Sequence, residues 1–402
     1  MAARARALVS LLALLPPTHA LDNGVTLPPL GWSTWNALRD NFNESVLRDV
    51  ADAMVSSGMV AAGYTHLNID DGWPLRDRAP DGSLVPNPAL FPSGMPALAA
   101  YLAARGLSLG IYGAHCATTC QGFPGSLGHE AQDAALFASW PVTLYKNDNC
   151  AARKGFPACD DAAAFTAMRD ALNKTGKTIA YQVHWGNSIY PQRTIGAVAN
   201  SWRVAVDMQP TWESVLRLVD DAAPLNALSR PGAFLDLDML EVGNGMSDTQ
   251  DRSHFALWCM FASPLVAGND PRSMRAAARA TLLTRALIAV DQDALVVAAR
   301  LVAADHGCTF GGNQASSCAW QAFARPLADG STALLILNRG ETAASVNVSV
   351  AFTLLDGAAP VNGAFDLWKD NAPLGDFAGA FNATVAPFDT AAVRLVPRKR
   401  SA

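Results

Sequence analysis

From Leu27 to about Val297 the apolar residues recur in two alternating modes. Short runs rich in β-branched and aromatic residues occupy Pro29 to Trp35, Tyr64 to Ile69, Leu107 to Tyr112, Val142 to Lys146, Thr178 to His184, Ser201 to Val206, Ala233 to Leu237 and Pro264 to Ala267. Between them lie Ala/Leu-rich stretches with helical spacing, such as Ser45 to Ser57 and Met95 to Arg105, the latter followed by Gly106 as a C-cap. Alternation of this kind is what repeated βα units produce, and eight such units close a (β/α)8 TIM barrel. An open doubly wound sheet is the competing architecture. No Gly-rich phosphate loop follows the first run, which counts against it.

After Val297 the pattern changes to short strand-like runs, Ala333 to Asn338, Ala344 to Val350, Phe365 to Trp368 and Ala391 to Val396, separated by Gly, Asn, Asp and Pro. That predicts a smaller antiparallel β-sandwich domain over 298–402 behind a barrel over 21–297. A structural role is the plainer reading of this domain, carbohydrate contact the other. Residues 1–20 read as a signal peptide: Arg4 and Arg6, the apolar run Ala7 to Leu15, then Thr18-His19-Ala20. The run is too short to span a bilayer, and Pro16 and Pro17 follow it. A soluble protein of the secretory pathway is therefore expected, whether exported, vacuolar or lysosomal.

With 402 residues, half of them hydrophobic, the chain can bury more than one core. The formal charge of −5 comes without a basic stripe, so no nucleic-acid partner is expected and no membrane partner either. Seven cysteines in an oxidising compartment should pair, with one left over. The sequons at Asn43, Asn173, Asn347 and Asn382 acquire meaning as glycan sites only in that setting. Nothing bears on oligomeric state.

Polar residues gather at the C-terminal tips of the predicted strands, the end that carries catalysis in barrels of this kind. They are Trp35, Asp70-Asp71, Tyr112, Lys146 with Asp148, His184-Trp185, Arg203 with Asp207, and Asp236 with Asp238. An internal ion-pair network is the bland alternative. No zinc-type spacing of His and Cys and no Gly-x-Ser-x-Gly elbow occurs, so neither metal nor cofactor nor a serine triad is expected. Asp70 and Asp71, as neighbours on a strand, should point to opposite sides. What remains is carboxylate chemistry of the kind that cleaves glycosides, which needs two acids flanking a sugar and aromatic faces to stack on it.

A resemblance sharpens this. Gly31-Trp-Ser-Thr-Trp-Asn36, Asn68-Ile-Asp-Asp71, Phe91-Pro-Ser-Gly94, Gly125-Ser-Leu-Gly-His-Glu130, Lys146-Asn-Asp-Asn-Cys150, Asn200-Ser-Trp-Arg203, Asp238-Met-Leu-Glu-Val-Gly-Asn-Gly245 and Arg272-Ser-Met274 are similar, in order, to glycoside hydrolase family 27, which contains eukaryotic α-galactosidases and α-N-acetylgalactosaminidases. The resemblance runs from near Leu27 to about Asp293 and more weakly beyond. It implies a barrel followed by a β-sandwich and a retaining hydrolysis of terminal α-galactose, with α-N-acetylgalactosaminidase, β-L-arabinopyranosidase or a non-catalytic galactose-binding protein as alternatives.

By the same resemblance Asp148 is the nucleophile and Asp207 the acid/base, their carboxyl groups about 5–5.5 Å apart. Asp70 and Asp71 accept from the 4- and 6-hydroxyls, Trp35 and Tyr112 supply ring faces, and Lys146 and Arg203 hold other hydroxyls. Asp148 must stay ionised, helped by Lys146, whereas Asp207 must begin protonated, which calls for an apolar site or a second carboxylate. The family's disulfide beside the nucleophile implies Cys120–Cys150. Cys308 and Cys318 flank a Gly-rich turn and should pair; the pairing of Cys116, Cys159 and Cys259 stays open, with Cys116–Cys159 and a buried Cys259 thiol the simplest arrangement. Departures stand at Asn147, where the family has an aromatic, at Gly113-Ala114, and at Val183-His184-Trp185-Gly186, where it reads Cys-Glu-Trp-Gly. The last segment faces the sugar's C2 substituent, so His184 is either a donor to a 2-hydroxyl or a bland loop histidine.

Overall fold

The computed structural model describes residues 20–150, 159–184, 194–305, 308, 317–341, 346–352, 355 and 361–398. The leader reading over the first residues and Trp185 lie outside them. Eight parallel strands form the first sheet: β1 Leu30–Ser33, β2 His66–Ile69, β3 Ser108–Ala114, β4 Val142–Asp148, β5 Ala180–Val183, β6 Ser201–Arg203, β7 Phe234–Asp236 and β8 Leu265–Ala267. Their order is β7-β6-β5-β4-β3-β2-β1-β8, sequential as a barrel requires. The last seam is closed by Leu240, whose amide donates to Val266 O at 2.7 Å while its carbonyl accepts from the Gly268 amide at 2.9 Å. Every predicted strand overlaps an observed one.

Helices start where the chain offers an oxygen to their free amides. Asn43 accepts from the Val46 amide at the head of Glu44–Ser56, Asp160 from Ala163 at the head of Asp161–Lys174, and Thr211 from Ser214 at the head of Trp212–Ala222. The helix Asp248–Phe261 is different: Phe255 through Phe261 are all buried. A helix apolar on every side needs cover on every side, and here the barrel lies on one flank and the second domain on the other. Arg325, itself buried, donates to Cys259 O at 2.7 Å across that seam.

The second domain holds β9 Arg300–Ala304, β10 Trp320–Pro326, β11 Thr332–Asn338, β12 Val346–Ala351, β13 Val361–Asp366, β14 Ala372–Ala378, β15 Ala380–Val385 and β16 Thr390–Pro397. Six of them make an antiparallel sheet, β14-β13-β16-β11-β10-β9, and β12 pairs with β15. β11 is buried from end to end because its two faces serve different cores. Leu334 and Ile336 pack with Val348, Val350 and Phe381 inside the sandwich, while Leu335 and Leu337 join the cluster that continues into the barrel. Hydrophobic patterning reveals such a strand as a continuous run. It did not reveal β9, β10 or β15, nor β14, most of whose residues are exposed.

Candidate active site

One cavity of about 360 Å³ opens at the C-terminal tips of the barrel strands. Its walls include Trp35, Asp70, Asp71, Tyr112, Lys146, Asp148, Arg203 and Asp207, so eight of the ten predicted catalytic and sugar-contacting positions meet around a single space. His184 reaches one of its wall residues instead of the cavity itself. Polar lining predominates, as suits a ligand made of hydroxyl groups.

Asp148 closes β4 and is held from both sides. Its Oδ2 accepts from the Tyr112 hydroxyl at 2.8 Å; its Oδ1 accepts from the Asn149 amide at 2.8 Å and lies 3.0 Å from His184 Nδ1. Burial opposes the charge, but the His184 ring, the Lys146 ammonium and the Tyr112 hydroxyl together hold the carboxyl far below the usual range. One ring nitrogen of His184, Nδ1, is thus engaged by Asp148.

Lys146 points from β4 to Asp70, 2.8 Å from its Oδ2, and lies over the Tyr112 ring. Burial would lower the lysine, yet Asp70, Asp148 and Asp238 raise it above its ordinary value and fix it as a cation. Asp70 and Asp71 both face the cavity. The alternation expected of strand neighbours fails because β2 ends at Ile69, and the two acids occupy a turn. Amides preorganise them: Asp71 donates to Asp70 Oδ1 at 2.9 Å, Gly72 to Asp71 Oδ1 at 2.9 Å and Gln121 to Asp71 Oδ2 at 2.8 Å. Burial still pushes Asp71 up to about 6.

Arg203 ends β6 with its guanidinium buried, 2.9 Å from Asp238 Oδ2 and 3.3 Å from Asp207 Oδ1. Asp238 turns toward it through a left-handed backbone, φ 76°. Aspartate is among the few residues other than glycine that visit that region readily. Asp207 itself is 63% exposed. Burial raises its carboxyl, but Arg203, then His184 and Lys146, outweigh that and hold it below the ordinary value. The expected apolar setting for Asp207 is thus absent in the free protein: its nearest charged neighbour is a guanidinium, because the Arg-x-x-x-Asp spacing folds the acid back over the arginine.

Trp35 belongs to the short helix Thr34–Leu38 that follows β1, with Arg39 over its ring at 4.9 Å. Asn147 turns away from the cavity: buried, it donates to the Tyr181 hydroxyl at 2.8 Å and accepts from Tyr145 at 3.4 Å. A side chain at Gly113 would strike that same Tyr145 hydroxyl, so the absence of one leaves the tyrosine room to reach Asn147.

Residues the pattern did not single out complete the wall. Asn36 and Asn244 each donate to one oxygen of Glu241, whose carboxyl burial pushes up to about 7. All three lie inside quoted motifs, which was the available signal. The two places where His, Cys and acidic side chains crowd together, around Cys116 and Cys159 and around Cys120 and Cys150, have their sulfurs tied in disulfides. Cys308–Cys318 is the third bridge among the described residues, and Cys259 is a buried thiol.

Known proteins agree with this frame. Residues 27–293 match the family model described as alpha galactosidase A, and residues 317–395 that of the alpha galactosidase C-terminal beta sandwich domain. α-Galactosidase A of Cellvibrio japonicus is 37% identical over 390 residues, covering 92% of this chain and 92% of that one. α-Galactosidase 3 of Arabidopsis thaliana is 38% identical over 381 residues, covering 94% and 84%. The crystal structure of α-galactosidase I from Mortierella vinacea superposes with a TM-score of 0.85 at 27% identity, over 95% of this chain and 100% of that one.

Proposed function

The chain belongs to the α-galactosidase family, glycoside hydrolase family 27, and from that premise we propose that it is a retaining α-galactosidase acting through Asp148 and Asp207 on terminal α-D-galactose of oligosaccharides or glycoconjugates. The observation that supports the residue roles is the joint presence of Asp148 and Asp207 on one cavity that the Asp70, Asp71 and Lys146 set also lines.

In the first step the Asp148 carboxylate attacks the anomeric carbon, the bond to the leaving oxygen breaks, and Asp207 gives that oxygen a proton. In the second, Asp207 takes a proton from water as the water attacks the same carbon and frees Asp148, so configuration is retained. The charges suit this cycle. Asp148 is ionised from the start. Asp207 needs a proton only when sugar fills the cavity, and the sugar strips water from it while the negative charge of Asp148 also raises it. Once Asp148 becomes an ester that charge is gone, and Asp207 turns into the better base.

Asp70 and Asp71 supply fixed acceptors for the 4- and 6-hydroxyls, of which the axial 4-hydroxyl distinguishes galactose from glucose, and a buried acceptor left without its donor is the source of selection. Trp35 and Tyr112 offer ring faces, Lys146 and Arg203 donors, and His184, through Asp148, bears on the side where C2 lies. Trp185 has its proposed sugar contact from the family motif alone. The disulfides suit passage through an oxidising compartment, exported, vacuolar or lysosomal. No described helix is long and apolar enough to cross a membrane.

The test is a panel of aryl α-galactoside, α-N-acetylgalactosaminide, β-L-arabinopyranoside and α-glucoside, run on the parent and on Asp148→Ala and Asp207→Ala. The galactoside should lead. Added azide should give β-galactosyl azide with Asp148→Ala and α-galactosyl azide with Asp207→Ala, because each variant lacks a different partner. Variants as active as the parent, or a preference for the glucoside, would overturn the reading.

A further inference from the structure

Outside the cavity wall, the chain just beyond β3 meets the end of β4 in a second constellation that the reaction above does not use. His115 is completely buried, with its ring stacked on Phe165 at 4.1 Å between centroids. Its Nδ1 lies 2.7 Å from the main-chain carbonyl oxygen of Asp148, and its Nε2 lies 2.8 Å from Asp161 Oδ1. A further neighbour of Nε2 is Cys116 Sγ at 3.4 Å, a disulfide sulfur with no proton to give. Each of these partners accepts. A neutral imidazole has one N–H and one bare nitrogen, so it would turn a lone pair on one of them. With Asp161 ionised, hydrogen bonds to both oxygens at these lengths take two ring protons.

Asp161 is the group that balances such a cation. Its second oxygen accepts from Asn149 Nδ2 at 2.9 Å, and 32% of its side chain meets solvent, both of which suit a carboxylate. We propose that His115 is a positioning residue: an imidazolium, paired with Asp161, that pins the main chain of Asp148 and so aims its carboxylate at the anomeric carbon. This rests on the reading of Asp148 as nucleophile.

The arrangement leaves the Asp148–Asn149 peptide little freedom. The Asp148 carbonyl accepts from the His115 amide at 3.2 Å as well as from its ring; the Asn149 side chain is tied to Asp161; and the Asn149 amide donates to Asp148 Oδ1 at 2.8 Å. Turning that peptide would break all of these bonds at once. On either side, Cys116–Cys159 and Cys120–Cys150 staple the same segments, so the geometry is held by covalent bonds around an ionic centre. A nucleophile must meet its target in line and within a narrow range, and small misplacements cost large factors in rate.

The experiment compares His115→Ala, Asp161→Asn, their double variant and Asp148→Ala in the full chain, reading kcat and KM on an aryl α-galactoside together with thermal melting. His115→Ala should lose kcat on the order of 10–100-fold with KM changed by about twofold or less, since substrate binding is left intact. Free imidazole should restore part of the lost kcat. Asp161→Asn should fall in between, and the double variant should be no worse than His115→Ala, because the two act as one unit. Should His115→Ala fail to fold, Asp161→Asn with the same kcat and KM readout decides. A folded His115→Ala or Asp161→Asn with parental kcat, or a loss that tracks melting and ignores imidazole, overturns the proposal while Asp148→Ala remains inactive. Activity surviving in Asp148→Ala would instead overturn the underlying assignment of the nucleophile.

Discussion

His184 Nδ1 and Asp148 Oδ1 lie 3.0 Å apart, on the carboxylate oxygen opposite the one that takes the Tyr112 hydroxyl. By the sequence resemblance the histidine stands where the family carries a glutamate, and in this chain it lies beside Asp148. This contact and the Asp70–Lys146 pair each have a consequence that can be measured.

The first is in the pH profile. After the opposing effect of burial, contact with His184 leads what keeps the Asp148 carboxyl low. Without it burial acts less opposed, the carboxyl rises, and the acid limb of kcat/KM moves to higher pH. His184→Ala should show that shift and a loss of roughly tenfold or more in kcat/KM near neutrality, the scale of a hydrogen bond to a charged group. A profile superimposable on the parent's would dissociate His184 from the nucleophile.

The second concerns selection. Asp70 neutralises a lysine that is itself buried. Asp70→Ala strands that cation and should cost about 3–5 kcal/mol of stability, seen as a large drop in Tm. Asp70→Asn keeps the shape, so it should fold with a smaller penalty yet lose two or more orders of magnitude in kcat/KM on α-galactoside, while the trace rate on α-glucoside barely moves. Equal losses on both sugars would mean that Asp70 serves only the scaffold.

The barrel was legible because each βα unit repeats the same burial problem: a strand covered on both faces, then a helix covered on one. Asp148 and Asp207 were legible because the Lys-x-Asp-x-Cys and Arg-x-x-x-Asp spacings are tied to strand ends. What could not be read was direction. Asp71 faces the cavity only because β2 stops one residue before Asp70, and Asp207 meets a guanidinium only because the chain turns back over Arg203. β14 escaped notice for a different reason, since a strand that buries little leaves no periodic trace. His115 and Asp161, distant in sequence, come together only once β4 is beside β3.

Glu241 gives a prediction about stability and pH. Burial raises its carboxyl from an ordinary 4.5 to about 7, so between those values the folded chain keeps a proton that the unfolded chain has lost. Stability contributed by this site is therefore present at pH 4.5 and below, declines as pH rises to about 7, and is flat above. Glu241→Gln removes the slope. Its melting temperature should match the parent's near pH 5 and exceed it at pH 8, by a margin corresponding to roughly 1–3 kcal/mol. A parallel offset at every pH would show that the glutamine merely repacks the Asn36 and Asn244 contacts.

The last prediction concerns how the second domain supports the site. Arg339, just past β11, makes a bidentate pair with Asp220 of the helix Trp212–Ala222 at 2.8 and 2.7 Å, and Gln321 of β10 bonds to both partners. All three side chains are buried. The Arg339 carbonyl also accepts from Trp212 Nε1 at 3.2 Å, and Trp212 begins the helix that carries the chain on from Asp207. Removing one charge leaves the other buried and uncompensated, so Arg339→Ala and Asp220→Ala should each cost about 3–5 kcal/mol. Replacing the pair together by Arg339→Met and Asp220→Leu removes both desolvation penalties and should recover part of that loss, the remainder being the cost of the Gln321 amide that loses both partners. The singles should lower Tm by several degrees while leaving kcat on aryl α-galactoside close to parental below the transition, because neither residue lines the cavity. If the double hydrophobic variant were stable yet raised KM, the brace would be setting the position of the Asp207 to Trp212 segment, and the second domain would be shaping the active site as well as covering the barrel.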